Sequence, residues 1–306
     1  MIREPVSFSS AGVRLQADLY RPARGLAVPA VVTAPGFGGV KEMLIPRYAE
    51  ALARAGIACL AFDYAGFGAS EGAPRQHVDP PAQARAFRDA LDALAVHPAI
   101  DAARLGVWGT SLSGGHALVT AADDARVRAC VALIPFVGVP PVPEPRYAYE
   151  VARDALRRAL GRPRSRIAAA GAPGSRAVMR SDGAAAWMQA MTRDAPSYRN
   201  EVTVASLWNM ARYTTASAAR TLTVPTRVVL ATRDTITPAA RVRAAFAGRS
   251  GPTLDFVEFP ETHFELFEQH LDATVTLTVD WFTQHLLAEQ GYTDARLASQ
   301  GAARSS

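Results

Sequence analysis

VWGTSLSGGHA, residues 107–117, decides how this chain is read. An apolar run, RLGVW (104–108), leads into it, and the apolar, small-residue stretch SGGHALVTAA (113–122) leads out with helical spacing. A strand, a very tight turn and a helix that starts at once are what a nucleophile elbow requires. The turn forces its central serine into a strained backbone geometry, so small residues must flank it. Gly109 lies two before Ser111, and Ser113 lies two after, where glycine is usual; serine is small enough to replace it. Gly114 and Gly115 allow close helix–strand packing. A second segment, Gly68-Ala69-Ser70-Glu71-Gly72, spells the G-x-S-x-G pattern letter for letter. It runs into GAPRQHVDPPAQ (72–83), a proline-rich loop, and no helix begins at Ser70. Context therefore selects Ser111 over Ser70, with Ser70 in a structural loop where Asp63 bonds the glycine turn. Ser113 falls inside the first helical turn and ranks below Ser111.

Around this turn the chain alternates apolar runs with helical patterns. VSF (6–8) and VRLQADLY (13–20) flank a turn at Ser9–Gly12, giving a β-hairpin over 5–22. AVPAVVTAPG (27–36), GIACLAFDY (56–64) and VRACVALIP (127–135) are continuous apolar runs, each read as a buried strand. EMLIPRYAEALARA (42–55) and QARAFRDALDALAVH (83–97) separate them as helices. The rhythm returns with TRVVLATRD (226–234), PAARVRAAFAG (238–248), TLDFVEFP (253–260) and an amphipathic helix over 268–288, carrying Leu271, Val275, Val279, Phe282 and Leu286. Such alternation implies an α/β fold with a mostly parallel central sheet flanked by helices. Residues 1–135 and 223–290 form the core. Residues 136–222 interrupt it, opening on GVPPVPEP (138–145) and continuing through YAYEVARDALRRAL (147–160), DGAAAWMQAMT (182–192) and VASLWNMARYTTASAA (204–219). This insertion reads as all helical, a lid over the edge where the strands end, because ligands of open α/β sheets bind there. Residues 291–306 are small and polar and read as a flexible tail.

A serine hydroxyl needs a base, and the base needs an orienting acid. Asp234 follows the strand TRVVLA, and His263 follows the strand TLDFVEF, both at the sheet edge that carries Ser111. His263 would take the serine proton and return it to the leaving group, while Asp234 holds the imidazole tautomer. Glu258 and Glu261 are alternative acids, and His77, His116, His270 and His285 are assigned no chemistry. The oxyanion hole needs two backbone donors. They are assigned to the N–H groups of Phe37, in the glycine-rich APGFGG loop (34–39), and of Leu112. Trp187, Trp208 and Tyr213 in the insertion are candidate substrate contacts, as readily lid core as ligand-facing. Arg199 and Asn200 are read either as touching substrate or as capping a helix.

Bulk properties narrow the classes. The chain has 306 residues, 49% of them hydrophobic, room for one large domain with an insertion. No apolar run approaches the roughly 20 residues of a membrane span. MIREPVSFSS (1–10) lacks the apolar centre of a secretory signal. The two cysteines, Cys59 and Cys130, lie in buried-strand patterns and read as small hydrophobes rather than as a disulfide. A cytoplasmic location is therefore expected. The net charge of +5 rests on scattered arginines, with Lys41 as the only lysine. No basic stripe with interleaved aromatics suggests nucleic acid, and no metal-ligand spacing is present.

GTSLSGGHAL (109–118), APGFGGVKE (34–42), FDYAGFGASEG (62–72), TRDTITP (232–238) and ETHFELF (261–267) together resemble the landmarks of the α/β-hydrolase fold, over roughly residues 5–290. The resemblance is to the branch of dienelactone-hydrolase-like and acetyl-esterase-like enzymes. GFGGVKE, WGTSLSGGH and PSYRNEVTVASL (196–207) also resemble polyketide-transferase-type serine hydrolases. The resemblance implies a Ser-Asp-His triad at Ser111, Asp234 and His263, and no cofactor or metal. It implies an esterase acting on a small-molecule ester or acyl substrate, with acyl transfer and a non-catalytic binding protein as the competing readings. A peptidase ranks below them, because nothing in the sequence supplies a site for a peptide terminus. Neither nucleic acid nor a membrane span is expected as a partner, and a homodimer is the assembly to test.

Overall fold

The computed structural model describes residues 1–23, 27–139, 145–181, 183–249 and 253–287. In chain order its strands are β1 (Ile2–Ser10), β2 (Val13–Arg21), β3 (Val28–Ala34), β4 (Ala58–Phe62), β5 (Ile100–Thr110), β6 (Val127–Leu133), β7 (Arg166–Gly171), β8 (Ala177–Arg180), β9 (Val202–Thr203), β10 (Thr226–Ala231) and β11 (Leu254–Phe259). Its helices are α1 (Ile45–Arg54), α2 (Pro80–Ala95), α3 (Leu112–Asp123), α4 (Pro145–Ala159), α5 (Ala184–Asp194), α6 (Ala205–Ala211), α7 (Ala216–Thr221), α8 (Ala239–Ala245), α9 (Glu265–Gln269) and α10 (Leu271–Phe282). The tail 291–306 and most of the proline cluster, 140–144, lie outside the described residues.

Eight strands form the main sheet in the order β1-β2-β4-β3-β5-β6-β10-β11. The β1–β2 hairpin and the β2–β4 pair are antiparallel, and every pair from β4 to β11 is parallel. The continuous apolar runs follow from this topology, because parallel strands are covered on both faces. Successive side chains alternate between two cores. Val31, Cys59 and Trp108 face α1 and α10, where Tyr48, Leu52 and Phe282 pack. Val32, Leu60 and Val107 face α2, α3 and α8, against Phe87, Leu118 and Val242. Cys59 and Cys130 are both free and buried, one in each core, and burial pushes both thiols up. They act as the small hydrophobes expected.

Local chemistry explains the helix starts. Asp79 caps α2, its side chain accepting from the Ala82 N–H, and Pro80 and Pro81 fill the first turn, where their missing N–H groups cost nothing. The proline-rich loop is therefore shorter than expected and the helix longer. Gly115 lets α3 lie on the sheet edge: a Cβ there would overlap the Phe136 carbonyl oxygen. The last helical stretch is divided. α9 and α10 meet at His270, and a single π-helical turn over Thr283–Leu287 follows.

The insertion lies between β6 and β10, and the expectation that it is all helical is wrong. Alongside α4–α7 it holds a three-stranded sheet, β8-β7-β9, with β7 parallel to β8 and antiparallel to β9. Arginine and alanine dominate SRIAAAG and SRAVMR, and alanine favours helices, so neither stretch carries a β signal. Ile167, Val202, Leu207 and Met210 join the core on the α2/α3 face. A third cluster joins Ala170, Met188 and Tyr198 of the insertion to Val40 and Met43 after β3 and to Phe264 after β11.

Candidate active site

The elbow forms where β5 passes into α3. Ser111 has φ 55° and ψ −119°, a conformation costly for a residue with a side chain. Surrounding bonds hold it there. The Ser111 N–H donates to the Leu133 carbonyl at 2.9 Å, and its carbonyl accepts from Phe136 at 2.8 Å and Gly115 at 3.1 Å. Ser113 closes the turn: its hydroxyl accepts from the Thr110 N–H and donates to the Thr110 carbonyl, both at 2.9 Å. Serine in the usual glycine position thus works as a clamp rather than a mere filler. Gly109 has no alternative, because a Cβ there would overlap the Ser113 carbonyl.

The competing serines are occupied. Ser113 is fully buried. The Ser70 hydroxyl accepts from the Gln16 N–H at 2.8 Å and donates to the Asp63 carbonyl at 2.6 Å. The Asp63 carboxylate accepts from the Lys41 and Ala69 N–H groups, bonding the glycine turn as expected. Ser70 ties β2 to the end of β4, so the letter-perfect motif is structural.

Asp234 follows β10. Its Oδ1 accepts from the N–H groups of Ile236 (2.7 Å) and Thr237 (2.9 Å). Its Oδ2 accepts from the Thr237 hydroxyl at 2.7 Å and lies 2.6 Å from His263 Nδ1. Burial alone would raise this carboxyl. The facing His263, its hydrogen bond and the Thr237 donors outweigh burial and hold it below the usual carboxylate range. His263, in the loop after β11, packs edge-on against Phe264 at 5.2 Å, and Phe264 contacts Trp187 at 5.0 Å.

Two cavities meet at Ser111. One, of about 300 Å³, is lined by Phe37, Ser111, Leu112, Phe136, Leu207 and Met210 among others, with Val178, Met179 and Arg180 of β8 in its wall. The other, of about 60 Å³, brings Ser111 together with His263, Trp187 and Phe264. Phe37 and Leu112 therefore border the same space as the Ser111 side chain. The Leu112 N–H opens α3, where the first N–H groups have no intrahelical acceptor.

Other sequence-picked residues lie elsewhere. Trp208 is 54% exposed, stacked beneath Arg212, and borders neither cavity. Tyr213 also borders neither: its hydroxyl is 2.8 Å from His116 Nδ1 and its ring stacks on Phe136. Neither is placed to touch a substrate at Ser111, the first because α6 turns it to solvent, the second because it seats the insertion on α3. Asn200 neither caps a helix nor borders either cavity at Ser111; its amide brackets Ala170 of β7 through both N–H and carbonyl. Arg199 donates to the Pro196 and Tyr198 carbonyls. Glu258 pairs with Arg243, and Glu261 with Arg233 and His270. Sequence reasoning missed Thr237, whose spacing three after Asp234 is a local turn signal, and Met179, which borders both cavities. Among the described residues no cluster of three or more His, Cys, Asp or Glu side chains is placed to hold a metal ion, and no helix is long and apolar enough to cross a membrane.

Residues 27–268 match the family model described as serine aminopeptidase, S33. The chain belongs to this family of α/β hydrolases. Within it, a thiohydrolase of Eupenicillium brefeldianum is 31% identical over 274 residues, 86% of this chain and 88% of its own length. The quorum-quenching protein AidA of Acinetobacter baumannii is 29% identical over 269 residues, again 86% and 88%. A polyketide transferase, GrgF, of a Penicillium species is 34% identical over 146 residues, 47% of this chain and 49% of its own. The crystal structure of α/β hydrolase GrgF from Penicillium sp. sh18 superposes with a TM-score of 0.80 at 22% identity, covering 94% of this chain and all of that one.

Proposed function

We propose that this family member is a serine hydrolase that cleaves a carboxylic ester or thioester through an acyl-serine intermediate on Ser111. One observation carries the reading: the strained Ser111 shares a cavity with His263, whose Nδ1 lies 2.6 Å from a buried Asp234. His263 Nε2 removes the Ser111 proton as Oγ attacks the acyl carbon. The N–H groups of Phe37 and Leu112 receive the developing oxyanion, helped by the positive end of α3. His263 then passes the proton to the departing alcohol or thiol, and water releases the acid by the reverse sequence. Asp234 keeps the imidazole oriented and balances its charge.

The thiohydrolase relative supports a thioester as readily as an ester. A peptide amide is disfavoured: among the described residues, neither cavity wall contains a carboxylate to hold a free amino terminus. Acyl transfer is a second reading, supported by the relative named a polyketide transferase. The test is labelling by a fluorophosphonate, together with turnover of acyl esters and thioesters, in the native chain and in Ser111→Ala, Ser113→Ala and Ser70→Ala. The reading expects labelling and turnover to vanish in Ser111→Ala alone. Labelling that survives there, or that fails in the native chain, overturns it.

A further inference from the structure

The two cavities at Ser111 are unequal, and the chemistry tells them apart. Leu112, Phe136, Leu207 and Met210 border only the larger, and His263, Trp187, Met188 and Phe264 only the smaller. Phe37 and Met179 border both, as does Ser111 itself. An imidazole that has taken the serine proton must hand it to the leaving atom. The same imidazole must later take a proton from whatever attacks the acyl-enzyme. Leaving group and acceptor therefore occupy the His263 side in turn, and the acyl group takes the Leu112 side. The walls differ in capacity. The cavity on the Leu112 side, about 300 Å³, is several times the size of the one on the His263 side, about 60 Å³.

Building on the acyl-serine reading, we infer that the site selects esters or thioesters with an extended apolar acyl group and a very short alcohol or thiol, and that water or an equally short alcohol resolves the acyl-enzyme. Trp187 and Phe264 set the limit on the leaving side. Their rings pack at 5.0 Å, and Phe264 is braced in turn on His263. The apolar wall formed with Met43, Ile45 and Met188 suits a methyl or ethyl group better than a polar one. In the second half-reaction the acceptor O–H gives its proton to His263 Nε2 and its oxygen bonds the acyl carbon. The bond from that carbon to Ser111 Oγ breaks, and Oγ recovers the proton. A bulky acceptor has no room for this approach, which places the chain on the hydrolytic side of the choice between hydrolysis and acyl transfer.

The experiment uses the full chain with two ester series. Methyl, ethyl, butyl and hexyl decanoates vary the leaving group, and ethyl acetate to ethyl decanoate varies the acyl group. Product chromatography with added methanol or hexanol follows transfer. The native chain should lose about tenfold or more in kcat/KM from methyl to hexyl decanoate, and should form a transfer product with methanol but not hexanol. Trp187→Ala should raise the hexyl-to-methyl ratio about tenfold while leaving the decanoate-to-acetate ratio in place. Trp187→Leu, which keeps an apolar contact with Phe264, should move the same ratio less. Met210→Trp should cut the decanoate-to-acetate ratio and spare the alcohol series. A native enzyme indifferent to alcohol length, or a Trp187 variant that shifts acyl preference instead, overturns the assignment while leaving the acyl-serine standing. Absence of both turnover and fluorophosphonate labelling overturns the acyl-serine reading and this inference with it.

Discussion

Ser111 and Ser113 are two residues apart and should respond to mutation in opposite ways. Ser113→Ala removes both bonds to Thr110 and leaves a buried N–H and carbonyl without that partner. It should cost about 1–3 kcal/mol in urea unfolding while fluorophosphonate labelling persists. Ser111→Ala should abolish labelling and lower kcat by about 10⁴-fold or more, with stability nearly unchanged. Equal loss of labelling in both variants would mean that Ser113 does more than hold the turn. The proposed nucleophile was legible because an elbow needs a strand before it and a helix after it, and both are written around Ser111. Asp234 and His263 were legible as residues just beyond strand ends, and the structure places them 2.6 Å apart. Thr237 was not, since its part depends on a turn that folds its hydroxyl back onto Asp234. Trp208 misled because an aromatic on a short helix carries no record of which way it faces.

Elements of the main sheet announced themselves by period and apolar run; those of the insertion did not. β7, β8 and β9 are six, four and two residues long, and two of them are built on alanine and arginine. Strands so short have little hydrophobic pattern, and pairing with one another is what defines them. They nevertheless shape the candidate site, since Val178, Met179 and Arg180 of β8 wall the larger cavity. β8 is held by β7, and β7 is held by the Asn200 amide, whose Oδ1 accepts from Ala170 N–H at 2.9 Å and whose Nδ2 donates to its carbonyl at 2.8 Å. Asn200→Ala removes both bonds, together with the one that Oδ1 accepts from the Tyr198 hydroxyl at 3.1 Å. With about 1 kcal/mol lost at the cavity wall, KM for decanoyl esters should rise about fivefold while acetate esters are unaffected. An equal change for both chain lengths would show that the small sheet supports the whole site rather than its acyl wall.

At the scale of the molecule, the insertion and the sheet are seated on one another through a buried histidine. His116 of α3 is fully buried, between Tyr213 of the insertion and Gln83 of α2. Gln83 Oε1 can only accept, so Nε2 carries the ring proton and Nδ1 accepts from the Tyr213 hydroxyl. The other titratable group against the ring is Tyr64, itself buried and pushed up. Burial lowers His116 from its ordinary 6.5 to about 3. The sign follows directly. Between pH 3 and 6.5 the unfolded chain binds a proton at this position and the folded chain does not, so acid favours unfolding. The stabilisation is complete above pH 6.5 and drains away as pH falls towards 3. From pH 7.5 to 5.5 this one group should remove ~1.4 kcal/mol from the free energy of unfolding. His116→Gln keeps a polar group between Tyr213 and Gln83 but cannot titrate. Urea unfolding at the two pH values should therefore show a difference in the native chain that is smaller by that amount in the variant. An unchanged difference would place the acid sensitivity elsewhere. If instead His116 controls it, mild acid should favour a local opening that parts Tyr213 from His116 and lets the exposed imidazole take a proton, and hydrogen exchange should rise first in α6 and α7.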